Sequence, residues 1–204
     1  MKSQNFEREL PSGYKLVKHI NAKDVKLGLI FNGVCLLLIA AVLALAWIPL
    51  IGRDLSVFLS DEEDLISLLV AWVVLIVVMI LYIVLHEMAH GTAYKALTGE
   101  KLTFGMSWSC AFCGVPSIYT YRRTAIISLI APLTVFGVIF LPLTVWLYFV
   151  NPIYYLLSAF MLGMHLGGCS GDIYCTLLFL FKYKDKKTLM RDTGPQQYLY
   201  VPEE

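Results

Sequence analysis

Apolar residues in this chain fall into four long blocks divided by short polar connections. Residues 27–51 carry Asn32 as their only strongly polar side chain, residues 65–85 and 124–150 carry no charge, and residues 151–181 hold Asp172 as their only carboxylate. A helix needs about 20 apolar residues to cross a hydrocarbon core. The pattern therefore predicts an all-α polytopic membrane protein with about four transmembrane helices. The first block is about twice as long as a signal-peptide core and no small-residue cleavage site follows it, so it reads as a retained helix. Pro132 and Pro142 fall inside the third block, where each frees one backbone carbonyl and threatens a kink. As one straight helix the fourth block would be about 46 Å long, well past a core of about 30 Å. It is expected to tilt, or to break near Gly167-Gly168.

Residues 98–123 form the one substantial polar stretch between blocks. Thr98-Gly99 stops the second helix, residues 101–108 alternate polar with apolar or glycine, and residues 111–121 supply a returning arm. That pattern predicts a short membrane-associated β-hairpin between the second and third helices. Lysines and arginines lie before the first helix, between the second and third, and after the fourth at Lys182, Lys184, Lys186 and Lys187. The other side carries only Arg53, near Asp61, Glu62, Glu63 and Asp64, which suit the positive end of the second helix. The positive-inside rule then places both termini of a multi-pass cell-membrane protein in the cytoplasm. The reading divides the chain into a cytoplasmic segment 1–26, an integral membrane domain 27–181 and a basic cytoplasmic tail 182–204. A turn is expected in that tail at Arg191-Asp192-Thr193-Gly194-Pro195, followed by a short strand over Gln196 to Val201.

Composition sharpens this only slightly. Of 204 residues, 58% are hydrophobic and 15% charged, against about 25% charged in a soluble domain. A net charge of +1 gives no reason to expect a nucleic-acid partner. The five cysteines, Cys35, Cys110, Cys113, Cys169 and Cys175, are odd in number and scattered, unlike a disulfide framework. Cys110 and Cys113 have CxxC spacing, but no second pair accompanies them.

The chemistry sits where the second block ends, at His86-Glu87-Met88-Ala89-His90. HExxH on a helix puts both imidazoles on one face, one turn apart, with a carboxylate beside them. That is the spacing of two zinc ligands and a general base. A catalytic Zn2+ site takes three protein ligands and keeps one position open. Asp172 is the first choice for the third, because a carboxylate in a spanning segment is expensive unless something positive faces it. The predicted topology brings it to the same cytoplasmic depth as His86 and His90. His165, seven residues earlier, is a fallback ligand, although packing or hydrogen bonding explains it as well. Glu87 is expected to move the proton during amide hydrolysis rather than to bind metal. Gly163, Gly167, Gly168 and Gly171 suit close helix approach.

Gly13-Tyr14-Lys15-Leu16-Val17, His86 through Gly91, Ser128-Leu129-Ile130-Ala131-Pro132, Gly168 through Ile173 and Asp192-Thr193-Gly194 form an ordered set. In it the chain resembles the bacterial zincin membrane peptidases, a family of unknown function that is similar to the site-2 class of intramembrane metalloproteases. The resemblance implies a zinc peptidase with a membrane-protein or peptide substrate, and a helical core lying in the lipid bilayer. In site-2 proteases the third ligand is an aspartate on a later helix, usually within Asn-Pro-Asp-Gly or Leu-Asp-Gly. Asp172 takes that place here, but follows Ser170-Gly171 and precedes Ile173. A catalytically inactive metal-binding scaffold or substrate-binding protein is the main alternative. A transporter component has only one intramembrane carboxylate and no paired repeat to support it.

Overall fold

The computed structural model describes residues 5–52, 62–106 and 111–203. Arg53, Asp54, Asp61 and Cys110 lie outside the described residues, so neither the acidic connection nor the CxxC pair is seen complete.

Among the described residues, four helical stretches are long and apolar enough to cross a membrane. Helix α1 (Val25–Trp47) starts where Asp24 Oδ1 accepts the Leu27 N–H at 2.9 Å, which satisfies an orphan donor of the first turn. Helix α2 (Glu62–Thr98) continues through HExxH without interruption. Helix α3 (Arg122–Tyr148) stays one element despite Pro132 and Pro142. The fourth stretch opens with α4 (Pro152–Gly168), capped by the Asn151 side chain accepting the Ile153 and Tyr154 N–H groups, with proline in the first turn. It breaks at Cys169, after the Gly167-Gly168 pair. Helix α5 (Ser170–Leu177) restarts there with Asp172 in its first turn, and one π-turn (Leu178–Lys182) ends the run.

The residues fall into two compact units. The first comprises Met1–Phe31, Val84–Pro132 and Ser170–Glu204. Its strands are β1 (Phe6–Glu7), β2 (Tyr14–Asn21), β3 (Thr103–Met106), β4 (Ala111–Gly114), β5 (Tyr119–Tyr121), β6 (Leu189–Asp192) and β7 (Gln196–Pro202). Strands β3 and β4 form the expected hairpin, Phe104 opposite Cys113. The remaining strands build a five-stranded sheet in the order β1-β5-β6-β7-β2, which an all-α reading misses. Residues 119–121, expected on the returning arm, pair instead with β1 and β6. The two flanks of the chain meet in the same sheet, since β2 pairs with β7 from Tyr14 opposite Pro202 to Asn21 opposite Gln196. Tyr94, Val115, Ile118, Leu129, Phe179, Met190 and Leu199 fill the core beneath.

The second unit comprises Asn32–Ile83 and Leu133–Cys169. Helices α1 and α4 touch at Gly163 and Gly167, one turn apart. A Cβ on Gly163 would come within 2.8 Å of Ile39 Cα, and one on Gly167 within 2.7 Å of Cys35 Cα. Small residues of this kind let membrane helices approach backbone to backbone. Gly168 and Gly171, expected to do the same, have room for an ordinary side-chain contact. Leu36, Leu37, Val73, Val77 and Ile80 are exposed, a surface suited to lipid rather than water.

Candidate metal centre

Helix α2 places His86 and His90 on one face, and α5 brings Asp172 to them. His86 Nε2 lies 3.5 Å and His90 Nε2 3.4 Å from Asp172 Oδ2, and both histidines are buried. Zinc sits about 2.0–2.1 Å from imidazole nitrogen or carboxylate oxygen. Ligands at the corners of such a tetrahedron are therefore about 3.4 Å apart. The two distances to Asp172 Oδ2 fit a shared zinc ion, and the donor chemistry, two nitrogens and one oxygen, suits it.

The orientation of His90 comes from α3. Its Nδ1 is 2.7 Å from the Ser128 carbonyl oxygen. A carbonyl only accepts, so the proton sits on Nδ1 and the neutral ring keeps its Nε2 lone pair for a metal. Ser128 has this oxygen to spare because Pro132, four residues on, has no N–H to give it. Proline here equips the site.

Glu87 points to another element. Its carboxylate accepts the backbone N–H of Cys113 on β4. Gly91, directly after His90, lets the hairpin lie close on α2, for a Cβ there would come within 2.7 Å of the Phe104 ring and 3.1 Å of Leu102. Burial first, then Asp192 and Glu87, push the Cys113 thiol up to about 12. It stays protonated, so it offers no thiolate for redox chemistry.

His165 belongs to the second unit. It is fully buried, its Nδ1 is 2.8 Å from the Tyr82 hydroxyl, and its Nε2 is 3.3 Å from the Leu133 carbonyl oxygen. The rings of Tyr82, Phe136 and Phe140 surround it. Both ring nitrogens thus face a polar partner within this unit. The structure thus gathers His86, His90 and Asp172 with Glu87 on the same helix. Sequence reasoning missed the Ser128 carbonyl and the Cys113 N–H. Pro132 signals the first; nothing local signals the second.

Residues 79–187 match the family described as "Putative zincin peptidase". That is just over half of the 204 residues. The chain belongs to this family. No curated protein and no solved structure matches it. The zincin family implies a bound metal, typically zinc, and membership supports zinc-dependent peptidase chemistry for a chain whose His86, Glu87 and His90 fall inside the matched residues.

Proposed function

We propose that the protein is a zinc-dependent endopeptidase, similar to site-2 proteases, that hydrolyses peptide bonds in membrane-embedded or membrane-adjacent protein segments. The observation that carries this reading is the convergence of His86, His90 and Asp172 beside Glu87, on helices apolar enough to cross a bilayer. In this reading His86 Nε2, His90 Nε2 and Asp172 Oδ2 hold the metal. When bound, zinc polarises the scissile carbonyl and lowers the pKa of water toward about 7. Glu87 takes the proton of the attacking water and delivers it to the departing amine. The Cys113 N–H keeps that carboxylate in place between the two transfers.

A carbonyl inside a helix is already bonded within that helix, so a substrate must be extended where it is cut. The β3–β4 hairpin lies on α2 beside Glu87 and Gly91, which supports capture of an extended segment by edge pairing. The exposed Lys182, Lys184, Lys186 and Lys187 at the end of the fourth span support a cytoplasmic site and cytoplasmic termini. The partners in this reading are the bilayer and a membrane-protein or peptide substrate.

The test incubates the protein, reconstituted in lipid nanodiscs, with synthetic peptides that each contain one apolar segment, and reads products by mass spectrometry. Glu87→Gln should lower cleavage by about 100-fold or more and retain zinc. Full cleavage by Glu87→Gln contradicts the mechanism. Bound zinc with no Glu87-dependent turnover favours the inactive metal-binding scaffold, a reading that the Ser170-Gly171-Asp172-Ile173 setting of Asp172 keeps in play.

A further inference from the structure

Asp192, the last residue of β6, takes no part in the chemistry above, yet it is only 3% exposed. Its carboxylate and its backbone carbonyl are both engaged. Oδ2 accepts the Tyr94 hydroxyl at 2.7 Å, Oδ1 accepts the Gly194 N–H at 2.9 Å, and the backbone carbonyl accepts the Val115 N–H at 2.9 Å. Tyr94 is itself 1% exposed and follows Glu87 by two turns on the same face of α2. Val115 directly follows β4, whose Cys113 N–H meets the Glu87 carboxylate. The contacts close a ring: Glu87, along α2 to Tyr94, across to Asp192, over to Val115, and back through Cys113 to Glu87.

Backbone packing tightens the same ring. Gly194 has φ +95°, a conformation that strains any side chain. A Cβ on Gly114 would run into the Gly194 nitrogen and the Thr193 carbonyl carbon, backbone atoms that cannot swing aside, and one on Gly194 would run into the Phe112 ring. The turn is closed by the Thr193 N–H and hydroxyl, both donated to the Gln196 carbonyl at 2.9 and 3.0 Å. Arg191 Nε adds a bond to the Pro116 carbonyl at 3.1 Å. The Asp192-Thr193-Gly194 turn is thus pressed along β4, and only the Asp192 carboxylate ties it to the helix that carries HExxH through a side-chain bond among the described contacts.

We propose that Asp192 is a positioning residue: anchored by Tyr94, it fixes strand β4 so that the Cys113 N–H meets the Glu87 carboxylate. The catalytic consequence rests on the peptidase reading, whereas the placement of the strand does not. Removing the carboxylate frees β4 to shift against α2, and Glu87 loses its donor. Asparagine preserves the ring, since its carbonyl accepts the Gly194 N–H and its amide donates to the Tyr94 oxygen.

Two measurements on nanodisc-reconstituted protein test this: hydrogen exchange of residues 111–116, and kcat with KM for a cleaved peptide. Asp192→Ala should raise exchange across 111–116 by about tenfold or more and lower kcat by about 100-fold, with KM and zinc content unchanged. Asp192→Asn should restore both exchange and kcat. Tyr94→Phe, which removes one hydroxyl, makes the same comparison if Asp192→Ala does not fold. Unchanged exchange at 111–116 in a folded variant overturns the proposal, and so does raised exchange with undiminished kcat. Absence of Glu87-dependent turnover in the wild type defeats the peptidase reading instead, and the exchange comparison then still decides whether Asp192 holds β4.

Discussion

The Ser128 carbonyl accepts the His90 Nδ1–H at 2.7 Å, at the point in α3 where Pro132 leaves that oxygen without a helical donor. A backbone defect in α3 thereby sets the tautomer of a histidine on α2. Pro132→Ala restores an N–H that competes for the Ser128 oxygen. Zinc affinity should fall by about tenfold, while the zinc-free protein is no less stable. Competition with a chromophoric chelator measures the first and thermal unfolding the second. Unchanged affinity would mean that the carbonyl does not hold His90.

A second expectation concerns pH. Burial, only partly offset by the Tyr94 and Gly194 hydrogen bonds, lifts the Asp192 carboxyl from the ordinary 3.8 up to about 6. The folded state therefore favours the protonated form. That preference is complete below about pH 3.8 and is lost as pH rises through about 6. A shift of about two units corresponds to about 3 kcal/mol. Between pH 4 and pH 7 the zinc-free wild type should lose about that much stability relative to Asp192→Asn. Unfolding of both proteins across this range, with chelator present, checks it; a flat difference would contradict it.

Helix packing gives a third. Gly167→Val sets a branched side chain against Cys35 Cα and should cost about 1–3 kcal/mol. Gly33→Ala is the control, because a Cβ there meets nothing within 4 Å and helix propensity improves by about 1 kcal/mol. Denaturation in detergent should move the two variants in opposite directions.

What the sequence made legible follows the range of the interactions. Helices were readable because a spanning segment satisfies its own backbone, so hydrophobic run length alone reveals it. The break after Gly167-Gly168, one of two expected outcomes, follows from run length, whereas the approach of Asp172 to His86 and His90 follows from the order and direction of the four apolar blocks. The strand at Gln196 to Val201 is legible locally, but the five-stranded sheet is not, since β2 and β7 stand at opposite ends of the chain and nothing local signals their pairing. Tyr14 through Asn21 looked like a polar flank for that reason. The hairpin was anticipated from alternation, but Tyr119 and Tyr121 were assigned to its arm because the competing partner, β6, lies some seventy residues away. The acceptor that positions His90 and the donor that meets Glu87 are both backbone groups, and a backbone group carries no residue signature.

In the proposed reading, His86, His90 and Asp172 form one zinc site. The most direct test is metal content of the detergent-purified protein, compared with folded His86→Ala, Asp172→Ala and Glu87→Gln variants. About one zinc per chain is expected in the wild type and in Glu87→Gln, with its loss or severe weakening in the other two. Undiminished zinc in Asp172→Ala, or none in the wild type even after zinc is added back, would contradict it.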